Sequence, residues 1–125
     1  MPEYNANQAG FVRVVREYLG LTRSELAEML DVGFESVRSW EKGRRRIPSG
    51  VIGQLQELQG QLDDEAAAVM DDYLGREYTE ENPPVLRIAD DPNGRPLGWQ
   101  RHIAARLAQH LAGLIVVEDV PSDRE

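Results

Sequence analysis

Phe34-Glu35-Ser36-Val37-Arg38-Ser39-Trp40-Glu41 sets Val37 and Trp40 three apart. On a helix that spacing turns Val37 and Trp40 inward and leaves Phe34, Glu35, Arg38 and Ser39 outward. An outward guanidinium such as Arg38 can donate two hydrogens to the O6/N7 edge of a guanine, which is worth about 1–3 kcal/mol of discrimination. Phe34 can touch a thymine methyl, and Glu35 can accept from a cytosine amine. Lys42, Arg44, Arg45 and Arg46 follow directly, a basic run suited to phosphates passing the helix end. The chemistry implied is base reading in a major groove with the backbone gripped at the helix exit.

Those residues need a scaffold that presents them. Thr22-Arg23-Ser24-Glu25 has the composition of a capping box, in which the Thr22 hydroxyl and Glu25 satisfy first-turn amides; such a cap is worth about 1 kcal/mol. Leu26, Ala27 and Leu30 then form the apolar stripe of a short helix, with Ala27 small enough for a close crossing. Asp31-Val32-Gly33 is expected to turn the chain, Val32 pointing into the core and Gly33 bending the backbone. The second helix is expected over Phe34 to Lys42, ended by Gly43 in a left-handed conformation.

From about Phe11 to Leu58 the chain resembles the lambda-repressor/Cro-like helix-turn-helix regulators, also called the xenobiotic-response-element type. The resemblance is carried by Leu19-Gly20-Leu21-Thr22, Glu25-Leu26-Ala27, Leu30 and Val32, and then by Glu41, Gly43, Arg45 and Pro48. It implies a charged pair, Arg16 with Glu41, tying the first helix to the end of the recognition helix. Loss of one partner from such a pair, if partly buried, costs about 3–5 kcal/mol. It also implies that Arg23, at the start of its helix, contacts a phosphate or a base edge. Phe34, Glu35 and Ser39 then fill base-reading positions, with Arg38 beside them.

The chain has 125 residues and a formal net charge of −8, unusual for a protein of this chemistry until it is divided. Residues 1–52 hold eight Lys/Arg against seven Asp/Glu, whereas residues 53–125 hold six against fifteen. The acidic half should point away from a duplex and orient the approach. With few phosphate contacts per copy, one chain should bind weakly and with strong salt dependence, which argues for a dimer. The expected organisation is a DNA-binding domain over 1–52, a dimerisation domain over 53–118 and an acidic tail over 119–125, frayed from Glu118 onward. No cysteine is present, so neither disulfides nor thiolate metal sites arise. No apolar run approaches the roughly 20 residues a bilayer span needs, and a soluble, cytoplasmic protein is expected.

The second half supplies the expected dimer. Ser49 is a candidate cap for a new helix after Pro48. Val51, Leu55, Leu58, Leu62, Ala66, Val69 and Tyr73 then recur at steps of four and three, close to a heptad stripe that runs nearly to Gly75. Gly60 interrupts it at about 1 kcal/mol relative to alanine, which marks a place for a kink or break. The stripe suits either the core of the chain or a dimer contact. Pro84 to Ile88 reads as a short strand, Asp91-Pro92-Asn93-Gly94 as a turn, and Gly98 to Ala112 as a helix carrying Trp99, Ile103, Leu107 and Leu111. Gly113 ends that helix, and Leu114 to Val117 forms a second strand. Two short strands leave open edges, a poor monomer but a good dimer if the sheet completes across subunits. Leu62, Val69, Tyr73, Trp99, Ile103 and Leu107 are the candidate dimer residues.

This half resembles the YdiL-like and anti-CRISPR-associated phage autorepressors. The residues that carry it are Pro84 to Arg87, Gly98 to Arg101, Ala104, Ala105 and Leu107, and Leu114-Ile115. The expected architecture is mainly α: a lambda-repressor-like helix-turn-helix bundle followed by a small α+β dimerisation region of long helix, short strand, helix and short strand. The resemblance implies a homodimeric transcriptional regulator, a repressor of its own promoter, bound to an inverted-repeat operator in double-stranded DNA. Its recognition helices would enter major grooves about one turn, roughly 34 Å, apart. Two alternatives stay open: an antitoxin whose second half binds a protein partner, and a translational regulator that binds RNA.

Catalysis and cofactors are not expected. His102 and His110 are eight apart, not at the four-residue spacing that aims two imidazoles at one metal, and Arg106 lies between them. Asp90 to Gly94 lacks the alternating ligands and closing glutamate of a calcium loop. Arg13 and Glu17 are ordinary helix-surface charges. No nucleophile is accompanied by a base, and no phosphate loop is present.

Overall fold

The computed structural model describes residues 2–119, with side chains from Gln8 onward. Five helices and two strands follow in order: α1 Pro2–Leu19, α2 Arg23–Leu30, α3 Phe34–Glu41, α4 Ser49–Leu74, β1 Val85–Ala89, α5 Leu97–His110 and β2 Ile115–Asp119. The mainly helical layout, with a helix-turn-helix first and a small sheet later, is the one expected. Residues 120–125, which hold most of the expected acidic tail, lie outside the described residues. Glu118 and Asp119 belong to β2 rather than to a frayed tail, because their backbone pairs with Ile88 and Ala89.

The chain forms two compact units that divide between Gln61 and Leu62, inside α4. In the first, α3 packs against both α1 and α2. Val12, Val15, Leu19, Leu26, Ala27, Leu30, Val37, Trp40, Ile47, Val51 and Leu55 are all buried there. The three helices before α4 close in the same way. A backbone amide reaches back five residues at each end: Leu21 to Arg16 at 3.1 Å, Val32 to Ala27 at 2.9 Å and Arg44 to Ser39 at 2.9 Å. That closure needs a left-handed residue just past the helix. Gly43 supplies it after α3, with φ 70°, as expected. After α2 it is Asp31 that turns left-handed, at φ 59°, and not Gly33, which is extended at φ −78° as the N-cap of α3. Aspartate tolerates that region better than most residues. Val32 is only half-buried. At the start of α4, the Pro48 carbonyl accepts the Val51 amide at 3.0 Å, so Ser49 begins the helix instead of capping it. Gly60 leaves α4 unbroken.

The second unit is a strand–helix–strand crossover with the end of α4. β1 and β2 pair in parallel, Val85 with Ile115 through Ala89 with Asp119. The two strands therefore complete each other within one chain, with α5 against β1. Leu62, Trp99 and Leu107 are fully buried and Ile103 nearly so, together with Ala66, Ile88 and Ala104. These four expected dimer residues form the core of their own unit, because α5 and the end of α4 cannot otherwise cover their apolar faces. Val69 and Tyr73 are half-buried, and the Tyr73 hydroxyl donates to the Val85 carbonyl at 2.8 Å. Beside the core, Trp99 Nε1 donates to Glu65 Oε1 at 2.9 Å. Arg95 Nη2 donates to Glu65 Oε2 at 2.6 Å, and its guanidinium stacks 4.2 Å from the Trp99 ring.

Candidate nucleic-acid interface

The site begins at the turn that leads into α2. Glu25 N donates to Thr22 Oγ1 at 3.1 Å and Thr22 N donates to Glu25 Oε1 at 2.9 Å, so both halves of the expected capping box are formed. That pins the start of α2, and the Asp31 turn then sets the start of α3. Val37 and Trp40 anchor α3 from below, at 0% and 4% exposure. Phe34 and Glu35 are exposed on its other side, while Arg38 and Ser39 are half-buried.

Phe34 is 44% exposed and forms a wall between two shallow hollows. One is lined by Arg16, Thr22, Arg23, Ser24 and Phe34 itself. The other is lined by Ser24, Glu25, Ala27, Glu28, Val32 and Phe34. Arg38 Nη1 donates to Glu35 Oε1 at 3.4 Å, a weak surface tie that holds the guanidinium near the first turn of its own helix. Beyond α3, Lys42, Arg44, Arg45 and Arg46 are all exposed. Arg45 Nη2 donates to Ser36 Oγ at 3.1 Å, which draws it back toward α3. Lys42 and Arg44 have no side-chain partner among the described residues.

The angle of α3 is held by a buried carboxylate. The Glu41 side chain is 1% exposed and takes Arg16 Nε at 2.6 Å and Arg16 Nη2 at 3.1 Å. Arg16 Nη1 also donates to the Leu21 carbonyl at 3.0 Å, which ties the α1 exit to the same point. Arg23 joins the cluster, its Nε 3.0 Å from Glu41 Oε1. The expected Arg16–Glu41 pair is thus present, and Arg23 is engaged with the same carboxylate at its Nε. Burial pushes the Glu41 carboxyl up, but the hydrogen bonds from Arg16 and Arg23 outweigh it and hold the group below the usual carboxylate range. The Arg16 guanidinium is raised in turn, chiefly by its hydrogen bond to Glu41.

Arg23's tie to Glu41 escapes sequence reasoning. Its position after a capping threonine suggests an outward side chain, and only the approach of the α2 start to the α3 end brings it to the carboxylate. Glu65, Gln100 and Arg95 escape it for the same reason, since their partners are distant in sequence. Among the described residues there is no cluster of three or more metal-ligand side chains, and no helix is long and apolar enough to cross a membrane.

No curated protein matches the chain. A family model does match part of it, and that part contains α2, α3 and the cluster around Glu41. Residues 12–57 match the helix-turn-helix family, whose members are DNA-binding transcription regulators and normally not enzymes, so this segment is a helix-turn-helix domain.

Proposed function

We propose that the protein is a homodimeric repressor that binds an inverted-repeat operator, of the lambda-repressor/Cro-like, xenobiotic-response type, with the operator upstream of its own gene. The observation that carries this is the exposed side of α3: Phe34 and Glu35 stand exposed, with Arg38 half-buried beside them, over a helix anchored by Val37, Trp40 and the Glu41 cluster. In this reading Arg38 and Ser39 read base edges, Phe34 meets a thymine methyl, and Glu35 both steers Arg38 and selects against bases that offer it no donor. Lys42, Arg44, Arg45 and Arg46 hold phosphates. Arg23 serves mainly through Glu41, with a phosphate contact for its remaining nitrogens. DNA binding resides in residues 1–52 and self-association in 53–118.

Two copies are required because so few cations per chain give little sequence-independent affinity. The test is selection of bound duplexes from a random pool, followed by footprinting upstream of the gene. An inverted repeat with half-sites about one helical turn apart is expected. A recovered motif without symmetry overturns the dimer, and no enrichment of duplex over a structured RNA competitor at matched salt overturns DNA as the target.

A further inference from the structure

The two strands of the second unit have very different outer edges. In β2, Ile115 N donates to the Pro84 carbonyl at 2.9 Å, and Asp119 accepts from Asp90 N at 3.3 Å. The odd-numbered residues of β2 therefore aim their backbone groups at β1, and Val116 and Glu118 aim theirs away. On β1 the alternation leaves Val85, Arg87 and Ala89 aimed at the outer side. That side is occupied by side chains. Ala89 N donates to Gln100 Oε1 at 3.1 Å, Gln100 Nε2 donates back to the Ala89 carbonyl at 2.7 Å, and Tyr73 takes the Val85 carbonyl. The Gln100 amide stands where the peptide of a third strand would be. No described group does this for β2, whose Ile115 and Val116 are 45% and 41% exposed.

We infer that the free edge of β2 pairs antiparallel with the β2 of a second copy of this chain, with Val116 opposite its own counterpart. This rests on the two-copy reading above and names the surface that serves it. Charge selects both the occupant and the register. Near this edge the acids are already neutralised within the chain: Glu118 by Arg101 at 2.7 Å and Asp119 by Arg87 at 3.6 Å. A like strand thus meets no uncompensated charge, whereas nucleic acid would meet cations already engaged by carboxylates. Registers that align the outward backbone groups centre on Val116, on Val117 or on Glu118. Centring on Glu118 crowds the two Glu118–Arg101 pairs against each other, and centring on Val117 sets Glu118 against Val116. Centring on Val116 instead puts Ile115 against Val117 of the other copy and keeps the two Glu118 side chains apart. The two-fold pairing yields one four-stranded sheet in the order β1, β2, β2, β1, with an isologous interface.

The chain has no cysteine, so a single introduced thiol reports the register without background. Val116→Cys in the full chain places two thiols on a hydrogen-bonded antiparallel pair about 5.5 Å apart at Cα, within disulfide reach. Glu118→Cys places them about 14 Å apart, out of reach. Under mild oxidation, V116C is expected to link nearly completely and E118C hardly at all. Val116→Lys is expected to sediment as one chain with unchanged circular dichroism. If the wild type sediments as two chains but V116C stays unlinked and V116K stays paired, the β2 edge is overturned while the two-copy reading stands. If the wild type sediments as one chain, alone and on its selected duplex, both fall.

Discussion

In the unit that ends at Gln61, Lys42 and Arg44 project into solvent without a side-chain partner among the described residues, and Arg45 and Arg46 are exposed beside them. In the unit that begins at Leu62, Arg76, Arg87, Arg95, Arg101 and Arg106 each meet a carboxylate. The sequence carries fewer basic than acidic residues in that later part, and these five, its basic side chains among the described residues, are neutralised locally. The lesson is that net charge is a poor guide to where a polyanion binds. What matters is which cations are left available, and the first unit keeps its available cations just past α3. Its buried carboxylate, Glu41, has the opposite task of fixing that helix.

The contrast breaks most sharply at two carboxylates held below their usual range, Glu41 and Glu118. Glu41→Ala leaves Arg16 and Arg23 facing a buried gap, and a loss of about 3–5 kcal/mol is expected in urea unfolding. Glu118→Gln, at a surface pair, is expected to leave the urea midpoint unchanged. The same difference has a pH signature. The folded Glu41 carboxyl is depressed, so its contribution is complete above the unfolded carboxylate pKa and disappears as pH falls through the folded value. Unfolding measured across that acidic window should lose stability in the wild type, and Glu41→Gln should show a flatter profile over the same range.

The exposed cations just past α3 provide the next test. Replacing Arg44, Arg45 and Arg46 by alanine should weaken binding to every duplex and lower the salt slope by about one unit for each phosphate no longer neutralised. The same change at Arg76 and Arg106 should leave the slope unaltered, since each of those two is ion-paired to a carboxylate of its own unit. A slope that responds equally to both sets would remove the distinction between the units. Arg38→Ala is a finer probe: it should relax preference at one base pair by about 1–3 kcal/mol, read in competition binding, with little change in slope. Gly60→Ala is the smallest. A methyl group there meets no atom within 4 Å and lies inside a continuous helix, so about 1 kcal/mol of added stability is expected in urea.

How legible each unit is in the sequence follows the range of its interactions. The capping box, the α3 anchors Val37 and Trp40 and the Gly43 stop are all decided within a few residues, so their spacing announces them. The left-handed residue between α2 and α3 lies at Asp31, ahead of the glycine that the sequence suggests, because Asp and Gly compete for the same turn and only the backbone path decides. The stripe from Val51 to Tyr73 marks the long helix well. Its heptad spacing does not say what covers it, since a helix buries the same face against its own chain or another. Leu62 and Ala66 are covered by their own unit. The parallel pairing of β1 with β2, the Glu65–Arg95–Trp99 cluster and the Gln100 bridge to Ala89 join residues far apart, and no local pattern marks them.

A sheet with two bare margins can add strands at both ends and lengthen into a fibre. Here one carboxamide, that of Gln100, stoppers one margin with a donor and an acceptor placed as a neighbouring peptide would place them. Growth by strand addition then has a single direction to take and terminates after one step. A substitution as mild as Gln100→Leu would reopen the second direction, and its consequence would be seen in concentrated stocks as polymer, before any loss of duplex binding.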